Sequence, residues 1–433
     1  MKVRTTVILT TTLVLIATGL TVVFGTGIGK WDVPGQARRF DSQMARAASH
    51  GLPMTQADLL KAGRDSTSGV AENVRNAISK FENQANVQFG NLNYRLTRPD
   101  KYRECFDYLD QNREVLDELV QLSDAEEWGD NLDLDENGFL GRDVVYGDMD
   151  FMSDALISRA RIRLASGDRS GAFDDLRAVW NYAGLLANHH SVEGQRIAAR
   201  MSHKATEVVL PSIHQYRDDA EFLSQLRGLI QETAFELNEQ LVLDANFYGS
   251  FVGARASKVT TNKYFSQFPL SYNFPEGSPE PEGQVQEAVM TPIAALYADL
   301  YDRHGKDYPL PEEFYKDMSA RFAAMSTFSE TLALNNRFPA RHYYVMRTQI
   351  VRTRAVMDAA LDVAIFRAQE GRLPEGLDPR HVDPVDNSNL LKYEVDGNGF
   401  AVLCDIGVAP TWDRQLSPGY GLEYRFEELK FGE

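Results

Sequence analysis

ALISRARIRLASGDRSGAFDDLRAVWNYAGLLAN, residues 155–188, decides the fold class. Its apolar residues recur at three- and four-residue steps, the spacing that lines one face of an α-helix. Ala172, Leu176, Val179, Ala183 and Leu186 carry that spacing through the second half, and Gly167-Asp168 interrupts it. Two helices joined by a tight turn, and therefore antiparallel, are expected.

The same period recurs on both sides. Thr55 followed by Asp58 has the spacing of a capping box at the start of a short helix. Val70, Val74, Ala77, Ile78 and Phe81 make the next apolar stripe. Residues 99–123 follow, with Tyr108, Leu109, Val115, Leu116, Leu119 and Val120 on the buried face. A helix over 192–210 is expected to stop at Pro211, because proline lacks the N–H that continues a helix. One long helix is expected over 219–246, with Phe222, Leu226, Ile230, Leu237 and Leu241 inward. Further helices are expected at 290–304, 311–335 and 340–370. The small residues at 165, 167 and 172 resemble those of one tetratricopeptide unit. No second copy occurs near a period of roughly 34 residues, so a solenoid array is not expected.

After residue 370 the pattern changes. GRLPEGLDPRHVDPVD (371–386) is rich in turn residues, and LLKYEV-DGNG-FAVLCD reads as a β-hairpin closed on a D-G/N-G turn. The fold class expected is mainly α. It comprises an N-terminal transmembrane helix, a multi-helix exported domain with one tetratricopeptide-like hairpin, and a small α+β C-terminal module. The boundaries are a stub at 1–4, an anchor or signal at 5–29, a helical stalk region at 30–98, a helical domain at 99–340 and the C-terminal module at 341–433.

AALDVAIFRAQEGRLPEGLDP, then DPVDNSNLLKYEV, then FAVLCDIG is similar to the C-terminal part of type II secretion pseudopilins. A long helix, G-R-L-P-x-x-L, D-P-x-D and two strands carry that resemblance over roughly 70 residues. The whole-chain plan resembles uncharacterised membrane-anchored helical proteins of planctomycete-type bacteria. The resemblance implies a pseudopilin-like small fold at the C-terminus. It does not imply a fibre subunit, because no prepilin peptidase site precedes the apolar segment and the usual acidic tail loop keeps only Asp413.

From Thr5 to Gly29 there is no charged residue across 25 positions, and Lys2 and Arg4 precede them. A bilayer core needs roughly 20 such residues as a helix. The span exceeds the roughly 7–15 apolar residues of a cleaved signal and has only Gly25-Thr26-Gly27 as a cleavage site. A single uncleaved anchor in a bacterial inner membrane is expected, with the bulk of the chain exported to the periplasm or cell exterior. The chain carries 45 Lys and Arg against 62 Asp and Glu, a net charge of −17. Such a surface repels phosphate backbones, so nucleic acid is not expected as a partner. Cys105 and Cys404 are the only cysteines, too few for a disulfide-stapled fold or a cysteine-rich zinc site.

NLDLDENGFLGRD (131–143) is the nearest approach to a metal motif. Asp133, Asp135 and Asn137 would supply positions 1, 3 and 5 of an EF-hand-type calcium loop, Gly138 the sharp turn and Phe139 its carbonyl. Position 12 is Val144 where a bidentate glutamate is needed. The reading is therefore an acidic connector within 124–150, with calcium as the alternative. Ten carboxylates lie between Asp124 and Asp150 against Arg142 alone. Arg337, Arg341, Arg347, Arg352 and Arg354 form a basic stripe that would offset them without a metal.

His189, His190, His203 and His214 cluster in sequence but lack the i, i+4 spacing of H-E-x-x-H. No G-x-S-x-G, G-x-x-x-x-G-K-[ST] or G-x-G-x-x-G occurs, so no catalytic or phosphate-binding residue is assigned. The aromatic segment YFSQFPLSYNF (264–274), inside a long loop at 257–288, is the element expected to dock a protein partner or the membrane interface. The function expected is an interaction or scaffolding role at the envelope. The alternatives are a secretion or pilus apparatus component, or an unrecognised calcium-dependent hydrolase.

Overall fold

The computed structural model describes residues 38–55, 57–59, 70–81, 99–129, 146–189, 192–249, 281–324, 340–385, 390–396 and 399–403. The protein is mainly helical. In chain order the helices are α1 (Phe40–Ser49), α2 (Ala71–Ser79), α3 (Pro99–Gln111), α4 (Arg113–Leu122), α5 (Tyr146–Ser166) and α6 (Arg169–Ala187). They continue as α7 (Val192–Gln215), α8 (Ala220–Glu232), α9 (239–249), α10 (Pro281–His304), α11 (Glu312–Ala324) and α12 (Ala340–Glu370). Strands β1 (Lys392–Asp396) and β2 (Gly399–Leu403) follow. Among the described residues no helix is long and apolar enough to cross a membrane. The expected anchor at 5–29 lies outside them.

The described residues divide into two units, each drawing on segments distant in sequence. In the larger, α6 packs against both α5 and α7, and α5 also meets α7. The turn that joins α5 to α6 is built as its composition requires. Gly167 takes φ +84°, a conformation that costs a residue with a Cβ. The Asp168 side chain then accepts the backbone N–H of Gly171 at 3.1 Å and caps α6. All five stripe residues of α6 are fully buried. Each large apolar side chain so buried contributes about 1.5–3 kcal/mol. Tyr182 ties α6 to α4 by donating its hydroxyl to the Leu119 carbonyl at 2.6 Å. Phe81, Tyr108 and Phe151 form an aromatic cluster, Phe151 standing edge-on to the other two.

Three helix boundaries differ from the periodicity. The helix expected over 99–123 divides at buried Asn112, where the Tyr108 carbonyl accepts both the backbone N–H at 3.1 Å and the side-chain amide at 2.9 Å. α7 does not stop at Pro211 but continues to Gln215. Val208, Val209 and Ile213 are buried around the proline, and the Ser212 hydroxyl bonds back to the Val208 carbonyl at 2.8 Å. Packing outweighs the lost N–H there.

The long helix expected over 219–246 is two helices, α8 and α9, with non-helical chain at 234–238. Apolar spacing runs through the break, but the backbone has better partners outside a helix. Arg354 donates to the carbonyls of Thr233 and Phe235 at 3.2 and 2.7 Å. The Asn238 N–H bonds the Ala187 carbonyl at 3.0 Å, and the Gln195 amide bonds the Asn238 carbonyl at 3.0 Å. Four tertiary hydrogen bonds thus replace the helical ones.

The hairpin forms as expected. β1 and β2 are antiparallel, in register from Lys392↔Leu403 to Asp396↔Gly399.

The smaller unit contains α1, α9, α10 and α11. α1 packs on α10 and α10 on α11. Arg46 of α1 pairs with Asp299 at 2.6 Å and with Asp302, while Arg321 of α11 reaches Asp299 at 2.7 Å. Thr55 and Asp58 satisfy each other's backbone N–H at 3.1 Å, the expected capping box.

Candidate functional site

Asp133, Asp135, Asn137 and Phe139 lie outside the described residues, as do Arg337, His190, Cys404 and the aromatic segment 264–274. Nothing in the structure bears on calcium at 131–143. Of the other candidates, His189 is buried, and exposed His203 lies 3.8 Å from the carboxylate of Glu207 one turn on. Cys105 is half-buried. Among the described residues no three His, Cys, Asp or Glu side chains are arranged to hold a metal ion.

Two arginines of the basic stripe have partners among the described residues. Arg352 makes a two-point contact with Asp383, Nε to Oδ1 at 3.1 Å and Nη2 to Oδ2 at 2.9 Å. Arg354 stands over the Phe235 ring, 4.4 Å from its centre, and holds the α8–α9 break. Burial pulls its guanidinium down to about 10 against the opposing charge of Glu236. These two arginines fix backbone and turn within their own unit.

What the structure does assemble is a polar cluster on α12. Asp358 and Asp362 are one turn apart and face the turn segment that carries Arg380 and His381. Arg227 of α8 grips Asp358 by two bonds, Nε to Oδ1 at 2.7 Å and Nη2 to Oδ2 at 3.0 Å, and reaches Asp362 with Nη1. The Gln231 amide donates to Asp358 Oδ1 at 2.7 Å. Asp362 Oδ2 faces Arg380 and, at 2.8 Å, Nε2 of His381, whose side chain is 5% exposed. Desolvation works to raise the Asp358 carboxyl, but the hydrogen bonds and charge of Arg227, with Gln231 and His381, hold it below the ordinary carboxylate range.

A second cluster lies at the α5–α6 pair. Asp175, wholly buried, accepts Arg159 Nη2 at 2.6 Å and Arg163 Nη1 at 3.0 Å. Arg159 also reaches Asp117 of α4 at 2.7 Å. Burial pushes the Asp175 carboxyl up to about 6 against both guanidiniums.

No protein-family model, curated protein or solved structure matches the chain.

Chemically, both clusters act as clamps. In each, carboxylate lone pairs meet guanidinium or imidazole donors from a different element, so removal of one partner strands a charge rather than freeing a nucleophile. The α12 cluster had a signal in the sequence: Asp358 and Asp362 stand four residues apart on a helix whose neighbouring positions are apolar. His381 lies outside the histidine cluster at 189–214, and no local spacing marks it.

Proposed function

We propose that the protein is a membrane-anchored extracytoplasmic protein of the bacterial envelope that acts by binding other proteins. The observation that carries this reading is the run of 25 uncharged residues from Thr5 to Gly29 behind Lys2 and Arg4. The clamps support it. They hold helices and the turn segment 376–385 in fixed relation, the property a scaffold needs to present a docking segment. YFSQFPLSYNF (264–274) is the proposed docking element, since five aromatics in eleven residues offer large contact area.

The test is fractionation with mass analysis of the mature N-terminus. The chain is expected in the membrane fraction, resistant to alkaline extraction and retaining residues before Lys30. A mature chain starting beyond Lys30 overturns the anchor.

A second reading, a secretion or pilus apparatus component, rests on the order long helix, G-R-L-P turn and antiparallel hairpin, which α12, β1 and β2 follow. Co-purification with inner-membrane secretion components tests it; consistent absence of such components removes it.

A further inference from the structure

In the smaller unit, α9 buries two carboxyl side chains, Glu239 and Asp244. Glu239 serves the backbone, its Oε2 accepting the N–H of Leu310 at 3.1 Å, just after Pro309. Asp244 has no comparable partner. It is 1% exposed, its Oδ2 receives only a long 3.4 Å contact from Gln240, and its Oδ1 has no hydrogen-bond partner among the described residues. A buried carboxylate left in that condition is destabilising, and native structures rarely keep one without a use.

A second orphan lies beside it. Phe247, one turn along α9 from Asp244, meets the Tyr297 ring edge-on at 5.4 Å. Tyr297 is 1% exposed and its hydroxyl likewise has no partner among the described residues. One turn further along α10, Tyr301 places its hydroxyl 3.3 Å from that of Tyr308. The negative charge of Asp244 acts on all three phenols, adding to the burial that pushes each of them up. Phe247 thus places the helix that carries the carboxylate against the Tyr297 ring, one turn from Tyr301.

Among the described residues the cation whose charge reaches Asp244 is Lys306, and it serves other groups. Lys306 donates to the His50 carbonyl at 2.8 Å and holds its ammonium 5.4 Å from the centre of the Tyr301 ring. Its charge reaches Asp244 without a hydrogen bond, and burial still pushes the Asp244 carboxyl up to about 6. Half-buried Lys306 and Tyr308 lie toward solvent, while Asp244 and Tyr297 are enclosed.

We infer that Asp244 and Tyr297 form a binding site for a small ligand bearing a protonated primary amine. The ammonium donates to Asp244 Oδ1 and to the Tyr297 hydroxyl, and the neighbouring aromatic rings of Phe247 and Tyr301 suit a cation. Its charge offsets a carboxylate that no cationic side chain among the described residues pairs with directly. A neutral hydroxyl compound of the same size would satisfy the hydrogen bonds but not the charge.

The experiment is calorimetric titration of the full-length protein in detergent with ethylammonium, against ethanol as the neutral control. Saturable ethylammonium binding is expected at pH 7.5 and none with ethanol. Asp244→Asn is expected to abolish binding. Tyr297→Phe, which removes only the hydroxyl, is expected to weaken it roughly tenfold, the worth of one hydrogen bond. At pH 5, where Asp244 is largely protonated, wild-type affinity is expected to fall roughly tenfold. Absence of saturable ethylammonium binding overturns the proposal, as does equal binding of ethanol or undiminished binding by Asp244→Asn. Should Asp244→Asn fail to fold, the Tyr297→Phe and pH arms decide the matter, and unchanged affinity in both overturns it.

Discussion

Nε2 of His381 lies 2.8 Å from Oδ2 of Asp362, and Nδ1 of the same ring lies 3.8 Å from Oδ2 of Asp358. One imidazole thus sits across two carboxylates a helical turn apart, and its own chain leads within about ten residues into β1. The Leu391 N–H bonds the His381 carbonyl at 3.1 Å, so the ring and the approach to the hairpin are fixed together. Asp362 is the keystone, because it faces Arg227, Arg380 and His381 at once.

Asp362→Ala is therefore expected to destabilise the protein by about 2–4 kcal/mol, since it strands partly buried donors. Arg380→Ala should cost under about 1 kcal/mol, because that side chain is 56% exposed and solvent replaces its contact. Denaturant unfolding of both variants tests the order. Equal losses would show that Asp362 holds only Arg380.

Acid should weaken the same clamp. The folded Asp358 carboxyl is held below its unfolded value, so its contribution is present above about pH 4 and lost as pH falls through the folded value. The stability difference between wild type and Asp358→Asn is expected to be full at pH 6 and to shrink below pH 4. A difference independent of pH would assign the loss to geometry rather than charge.

At the α5–α6 pair, burial separates two aspartates that share Arg159. Asp175 is 0% exposed and Asp117 is 49% exposed. Asp175→Ala leaves Arg159, itself 7% exposed, and Arg163 without their buried partner. The expected loss is about 3–5 kcal/mol, against under about 1 kcal/mol for Asp117→Ala. Thermal unfolding of the two variants checks it, and comparable losses would place the energy in Asp117.

Helix identity was legible because burial follows period. The stripes at 70–81 and 172–186 are the buried faces observed. Boundaries were not, and the reason is the same each time. Apolar spacing reports which side of a segment faces the core, whereas a helix ends where its backbone finds other partners. Arg354 and Gln195 supply those partners at 233–238 from 119 and 43 residues away, and no local pattern announces them. The polar clusters were half legible. Asp358 and Asp362 advertise themselves by spacing, but Arg227 joins them from another helix 131 residues earlier. Asp244 carried no signal at all, since an isolated acid on an amphipathic helix reads as surface until its burial is known.

Asp244 also makes a stability prediction independent of any ligand. Its folded carboxyl is raised to about 6, so the folded state holds its proton more tightly than the unfolded chain. The neutral form incurs no charge-burial penalty below about pH 4. As pH rises from about 4 to about 6 the unfolded chain ionises first, and stability falls by about 1.4 kcal/mol for each unit separating the two values, or about 3 kcal/mol in all. Above about pH 6 both states are ionised and the loss is complete. Asp244→Asn removes that titration while keeping the shape and the contact with Gln240. Relative to wild type it is expected to be stabilising by about 2–3 kcal/mol at pH 7.5 and near neutral at pH 4. Denaturant midpoints for the two proteins at both pH values measure the effect. A variant less stable than wild type at pH 7.5 would mean that the carboxylate has a compensating partner in the folded protein.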